Sequence, residues 1–198
     1  GGFIVPSATS PGEIVVNGMS PSRRDGKFAN SGIVVAVELE DLESYKEHGP
    51  LMAMVFQEEV ERKAWVAGGK TQVAPAQRIV DFVEGKVSSS LAESSYQPGL
   101  KSADMSQVLP PFISERLKNA FKAFGKKMRG YYTNEAQIIG VESRTSSPVR
   151  VPRVKDSFEH PTTGRLFPCG EGAGYAGGIV SAAMDGERCA EKLIEKYG

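Results

Sequence analysis

Cysteine is scarce: Cys169 and Cys189 are the two in 198 residues. That is too few for a disulfide scaffold or a zinc site, so no metal is expected and a reduced, cytoplasmic setting fits best. Histidine is equally rare, with His48 and His160 alone. A lone histidine such as His160 is more often a turn residue than a proton donor, and no general acid or base can be named. Net charge is missing too, since 24 Lys and Arg balance 24 Asp and Glu. Nothing overall draws the chain to nucleic acid or to an anionic membrane surface. No apolar run approaches the roughly 20 residues that span a bilayer. The opening Gly1-Gly2-Phe3-Ile4-Val5-Pro6 has neither the basic start nor the long apolar centre of a secretory leader. It also lacks an initiator Met, as expected of a fragment or a processed chain.

What remains is ordinary globular material, 40% hydrophobic and 24% charged. That suits one domain, or one domain with a small appendage. Residues 1–31 are turn-rich, with Ile14-Val15-Val16 a short strand candidate. Asn17 to Ser31 then forms a loop whose Arg23, Arg24 and Asn30 are either solvated or turned toward a ligand cavity. GIVVAVEL, Gly32–Leu39, reads as a buried strand because it is a β-branched run between turn signals. Gly49-Pro50 opens a helix to about residue 67, with Met52, Phe56, Val60 and Ala64 on its inner face. Gly69-Lys70-Thr71 resembles the tail of a phosphate-binding loop. It fails that test, because Ala64 stands where a glycine is required. A short helix is expected over 76–84 with Gly85 as its stop, then irregular Ser-rich chain over 86–109. Pro110-Pro111 starts the clearest helix, with Ile113, Leu117, Phe121, Phe124 and Met128 in its stripe. Ala136–Arg144 and Val149–Val154 read as the two arms of a hairpin. These elements predict an α/β (or α+β) fold, with a mixed β-sheet from 32–39 and 136–154 under covering helices.

The richest stretch is Gly164 to Ile179. It reads as a strand, a glycine-rich turn and the start of a helix running from about Ala176 to Lys196. Gly172-Ala173-Gly174-Tyr175-Ala176-Gly177 fits G-x-G-x-x-G, where glycines permit a tight turn and close ligand approach. A complete dinucleotide unit needs a second parallel strand and an acidic residue about 20 positions later. One helix follows here, so the stretch is expected to close a site begun elsewhere. The alternative is a non-catalytic folded module whose glycine turn is structural only.

The run LFPCGEGAGYAGGIVSAAMDGERCAEKLIEK resembles the C-terminal FAD-contacting motif of bacterial FAD-dependent dehydrogenases, the putative NAD(FAD)-utilising family. EIVVNGMSPSRRDGKFANSGIVVAV and IIGVESRTSSPVRVPR are similar to the same family. No second G-x-G-x-x-G occurs, so the resemblance implies a C-terminal portion whose N-terminal Rossmann half is absent. That half, within the same polypeptide, is the implied partner, beside a small-molecule substrate. The implied division is a substrate or cap domain over 1–160, with parts of the FAD-domain sheet, and an FAD-contacting segment over 161–198. The implied reaction is hydride transfer between NAD(P)H and FAD. The implied contacts are Glu171 with the ribityl chain, and Gly170, Gly172, Ala173, Gly174, Tyr175, Ala176, Gly177, Gly178 and Ile179 along the turn. Arg144 is implied near the flavin pyrimidine edge, where a cation stabilises charge on the reduced ring. Cys169, with no paired cysteine nearby in sequence, is expected to be a buried thiol.

Overall fold

A computed structural model describes all 198 residues, Gly1–Gly198. It is a mixed α/β structure divided into two compact units. The first comprises Gly1–Ser44 and Phe56–Ser143; the second comprises Tyr45–Val55 and Arg144–Gly198. Within the second unit, Ser147, Val151, Arg153 and Glu159 hydrogen-bond to the glycine turn and the helix after it.

In the first unit, β1 (Phe3–Pro6) and β2 (Val16–Met19) form an antiparallel pair. Ile14 and Val15 are buried just before β2. A second sheet has the order β4-β3-β5, with β3 at Ala74–Arg78, β4 at Leu100–Ser102 and β5 at Gln137–Ile139. β3 runs parallel to β4 and antiparallel to β5, so the sheet is mixed, as expected. A 3-10 segment, Leu39–Leu51, breaks at Gly49 (φ 53°) and leads into α1 (Met52–Ala67), with Tyr45–Val55 of this stretch assigned to the second unit. Phe56, Val60 and Ala64 of α1 are buried in this unit, on the stripe the sequence predicts. α2 (Ile79–Glu84) follows β3 and stops at Gly85, whose φ of 71° lets its N–H reach the last carbonyls. α3 is Met105–Val108 and α4 is Pro111–Lys127. α4 has Pro at its first turn and lysines in its last, as its macrodipole favours. Phe82 of α2 meets Phe121 of α4 edge-on at 6.2 Å, and both rings are fully buried.

Four expectations are corrected here. Gly32–Glu38 is irregular, and Val34 and Leu39 are 59% and 68% exposed. A β-branched run becomes a strand only where a neighbour completes its ladder, and neither sheet contains one for it. Residues 76–78 extend β3 rather than open a helix. Buried Gln77 explains this: its amide donates to the Lys86 carbonyl and accepts from the Met105 N–H, both at 2.8 Å. Residues 86–109 hold β4 and α3, which short, weakly patterned segments conceal. Val149–Val154 is no hairpin arm, because Val151 donates its N–H to Ala173 in the glycine turn.

In the second unit α5 (Ile179–Tyr197) is the one long helix. It starts three residues after the expected Ala176, at a Gly178 N-cap without a side-chain cap, and continues through Gly186 without a break. The expected strand before the turn does not form: Gly164 and Arg165 lie in a turn and residues 166–169 are irregular.

Candidate functional site

The glycine turn is built from residues that need its geometry. Gly170 has φ 74° and Gly174 has φ 82°. The turn closes on itself through Gly174 N–H to Glu171 O at 2.9 Å and Tyr175 N–H to Gly170 O at 3.0 Å. A Cβ at Gly174 would lie 2.8 Å from the Val149 carbonyl, so this glycine lets two backbones touch. At Gly170, Gly172 and Gly177 a Cβ would meet nothing within 4 Å. These three leave open space along the turn next to a helix start without a side-chain cap, which suits close approach of an anion or an electron-rich ring. Glu171 is exposed beside them, as are Gly172, Gly177 and Ile179; Ala173, Tyr175, Ala176 and Gly178 are half-buried.

A buried charge holds the turn from behind. Arg153 makes a bidentate pair with Asp185 of α5, at 2.9 and 2.7 Å, and each side chain is only 9% exposed. One Asp185 oxygen also accepts the Gly170 N–H at 2.9 Å. Arg153 donates further to the Pro168 carbonyl at 2.9 Å. The guanidinium lies between the rings of Tyr175 and Phe158, 3.6 and 4.1 Å from their centroids. The Arg153 guanidinium, with help from the Gly170 N–H, holds the Asp185 carboxyl below its usual range. Phe158 has φ 60°, a strained setting for a bulky residue that persists only where its surroundings enforce it. Arg150 covers Tyr175 as well, 4.4 Å from the ring centre. Tyr175 donates its hydroxyl to the Val151 carbonyl at 2.9 Å.

A second anchor is Glu159, which receives Lys196, the Tyr197 hydroxyl at 2.7 Å and the Arg165 N–H at 2.6 Å. Lys196 first, then Arg165 and Tyr197, lower its carboxyl to about 2. His160 is a turn residue, its Nδ1 accepting the Thr163 N–H at 3.1 Å.

The structure therefore brings residues 170–179 together as one open turn. Arg144 sits half-buried in the irregular chain that opens this unit, whereas Arg150 and Arg153 stand over Tyr175. Cys169 is exposed, against expectation, and Cys189 is the buried thiol, which burial pushes up. Cys189 faces inward on α5 while Cys169 lies on the turn. Sequence reasoning missed the Arg153–Asp185 pair altogether. Its one signal was Asp185, a carboxylate that breaks the small-residue pattern of α5.

The model of the family described as FAD-dependent protein, C-terminal domain-like matches residues 1–145. The chain belongs to that family. An uncharacterized protein of Clostridium beijerinckii (strain ATCC 51743 / NCIMB 8052) is 43% identical over 199 residues. The match covers 100% of this chain but 37% of that relative, so the chain spans well under half the relative's length. The glycine turn lies beyond the residues matched by the family model. No helix is long and apolar enough to cross a membrane.

Proposed function

We propose that this chain is the C-terminal part of an FAD-dependent oxidoreductase that passes hydride between NAD(P)H and FAD in the cytoplasm. Family membership supports the flavin half of this reading. The single observation that carries the site is the open glycine face at Gly170, Gly172 and Gly177, beside exposed Glu171. These residues fit FAD: the Glu171 carboxylate accepts hydrogen bonds from ribityl hydroxyls, and the amides of Ala176 to Gly178, which the turn's own hydrogen bonds leave undonated, receive the ring. Bound there, FAD supplies the hydride chemistry, and the protein supplies position and field. Arg144 is proposed as a further cation toward the pyrimidine edge. Its replacement by Ala is expected to slow flavin reduction more than it weakens FAD binding.

The partner we propose is the rest of the polypeptide. Two features favour it. Ile179, Val180 and Ile194 of α5 are 92%, 72% and 64% exposed, an apolar face with nothing over it in this chain. The unladdered Gly32–Glu38 run has strand composition and lacks only a neighbour.

The test is FAD content and affinity. The full-length protein is expected to purify with flavin, and the isolated chain to bind FAD weakly or not at all. Glu171→Ala in the full-length protein is expected to weaken FAD retention by about 1.5–3 kcal/mol, the range for a charge-assisted hydrogen bond. A full-length protein that neither carries nor takes up FAD would overturn the reading and leave the turn structural.

A further inference from the structure

The second unit has an open surface depression of about 610 Å³ lined by Arg150, Pro152, Arg153, Lys155, Phe158 and Tyr175. Its lining carries three cations and no carboxylate. Arg153 is neutralised by Asp185 behind it. Arg150 and Lys155 are exposed, and neither forms an ion pair. Their charge is therefore available to an anion. The remaining wall is apolar: Pro152 and the rings of Phe158 and Tyr175.

Two unpaired cations beside apolar and aromatic surface match one ligand chemistry, a phosphorylated ring system. Arg suits phosphate oxygens through its planar fork, and Lys adds a mobile point charge. The half-buried Phe158 ring and the guanidinium of Arg150, which lies over Tyr175, offer flat surface to a base. Tyr175 belongs to the glycine turn, so the depression abuts the proposed flavin face.

We infer that this depression receives the phosphate-bearing nucleotide part of the nicotinamide donor, with Arg150 and Lys155 on its phosphates. The inference rests on the oxidoreductase reading above and adds the donor's docking site to it.

Calorimetric titration of the full-length protein with ADP, adenosine and pyrophosphate tests it. ADP is expected to bind, with adenosine and pyrophosphate each at least about tenfold weaker, since each lacks one recognised part. Arg150→Ala and Lys155→Ala are each expected to weaken ADP about tenfold or more, the effect of losing one charge-assisted contact. They are also expected to raise KM for NAD(P)H while FAD content stays unchanged. Arg150→Lys is expected to restore part of the ADP affinity.

Adenosine binding as tightly as ADP would overturn the assignment, as would ADP affinity that both variants leave unchanged. Loss of FAD from Arg150→Ala or Lys155→Ala at unchanged thermal stability would reassign the depression to the flavin. A wild-type protein without FAD that still binds ADP through Arg150 and Lys155 would sink the oxidoreductase reading and leave the nucleotide site standing.

Discussion

The first unit closes around rings and aliphatic side chains, whereas the second closes around a charge. In the first, Phe82, Phe121, Ile14 and Met105 are almost wholly excluded from water. In the second, the residues α5 buries are Asp185 and Cys189, and its strongest apolar side chains face outward. A helix normally turns its apolar stripe to the core. Here the stripe and the buried face differ, because Arg153 claims Asp185 and the stripe is left over. The lesson is that a buried face is set by which partner a helix meets, and α5 has the composition to meet two.

The largest effect is expected from the hydrophobic side. Phe82→Ala should cost the first unit about 3–5 kcal/mol by loss of burial and creation of a cavity. Trp65, the single tryptophan, lies in α1 within that unit and reports its unfolding by fluorescence.

Slightly less is expected from Asp185→Ala, about 3 kcal/mol, the low end for a buried pair broken on one side. It strands Arg153 and frees the Gly170 amide. Far-UV circular dichroism should show α5 melting earlier, while the Trp65 transition stays where it was. A Trp65 midpoint that moves equally would mean that the two units unfold as one and would erase the contrast.

Acid should separate the units as well. Glu159 sits at about 2 when folded, against an ordinary 4.5. A depressed carboxyl contributes its stability above the ordinary value and loses it as pH falls through the folded one. Asp185 is shifted in the same direction. The second unit is thus expected to loosen as pH drops from about 4.5 toward 2. An α5 signal that is flat over that window would refute the anchoring role of both carboxylates.

The smallest effect sharpens the contrast most. Ile179→Ala should change the stability of this chain by no more than about 0.5 kcal/mol, because the side chain is 92% exposed. In the full-length protein the same change should destabilise measurably. Equal, negligible effects in both would show that nothing covers α5.

Much of the fold was legible in the chain. α1 and α4 carry stripes at helical spacing that are buried as expected, whereas the α5 stripe of Ile179, Ala183, Ala190, Leu193 and Ile194, expected as its core face, is exposed. Pro111 and Gly85 mark a start and a stop through backbone chemistry alone. The glycine turn was legible for the same reason, since Gly170 and Gly174 take up a φ that other residues avoid. Short strands were not: β3 contains Pro75, and β4 is three residues long. Each depends on a neighbour distant in sequence.

The amino-acid sequence by itself determined the long helices, the turn at Gly170–Gly178, the balanced charge and the family to which the chain belongs, because these follow from local pattern and residue type. Only the tertiary structure decided that Gly32–Glu38 stays unpaired and that Arg153 reaches Asp185. It also decided that Arg150 and Arg153 stand over Tyr175. Those outcomes depend on which distant groups meet, and a ladder partner or a counter-charge leaves no periodic trace in the residues that receive it.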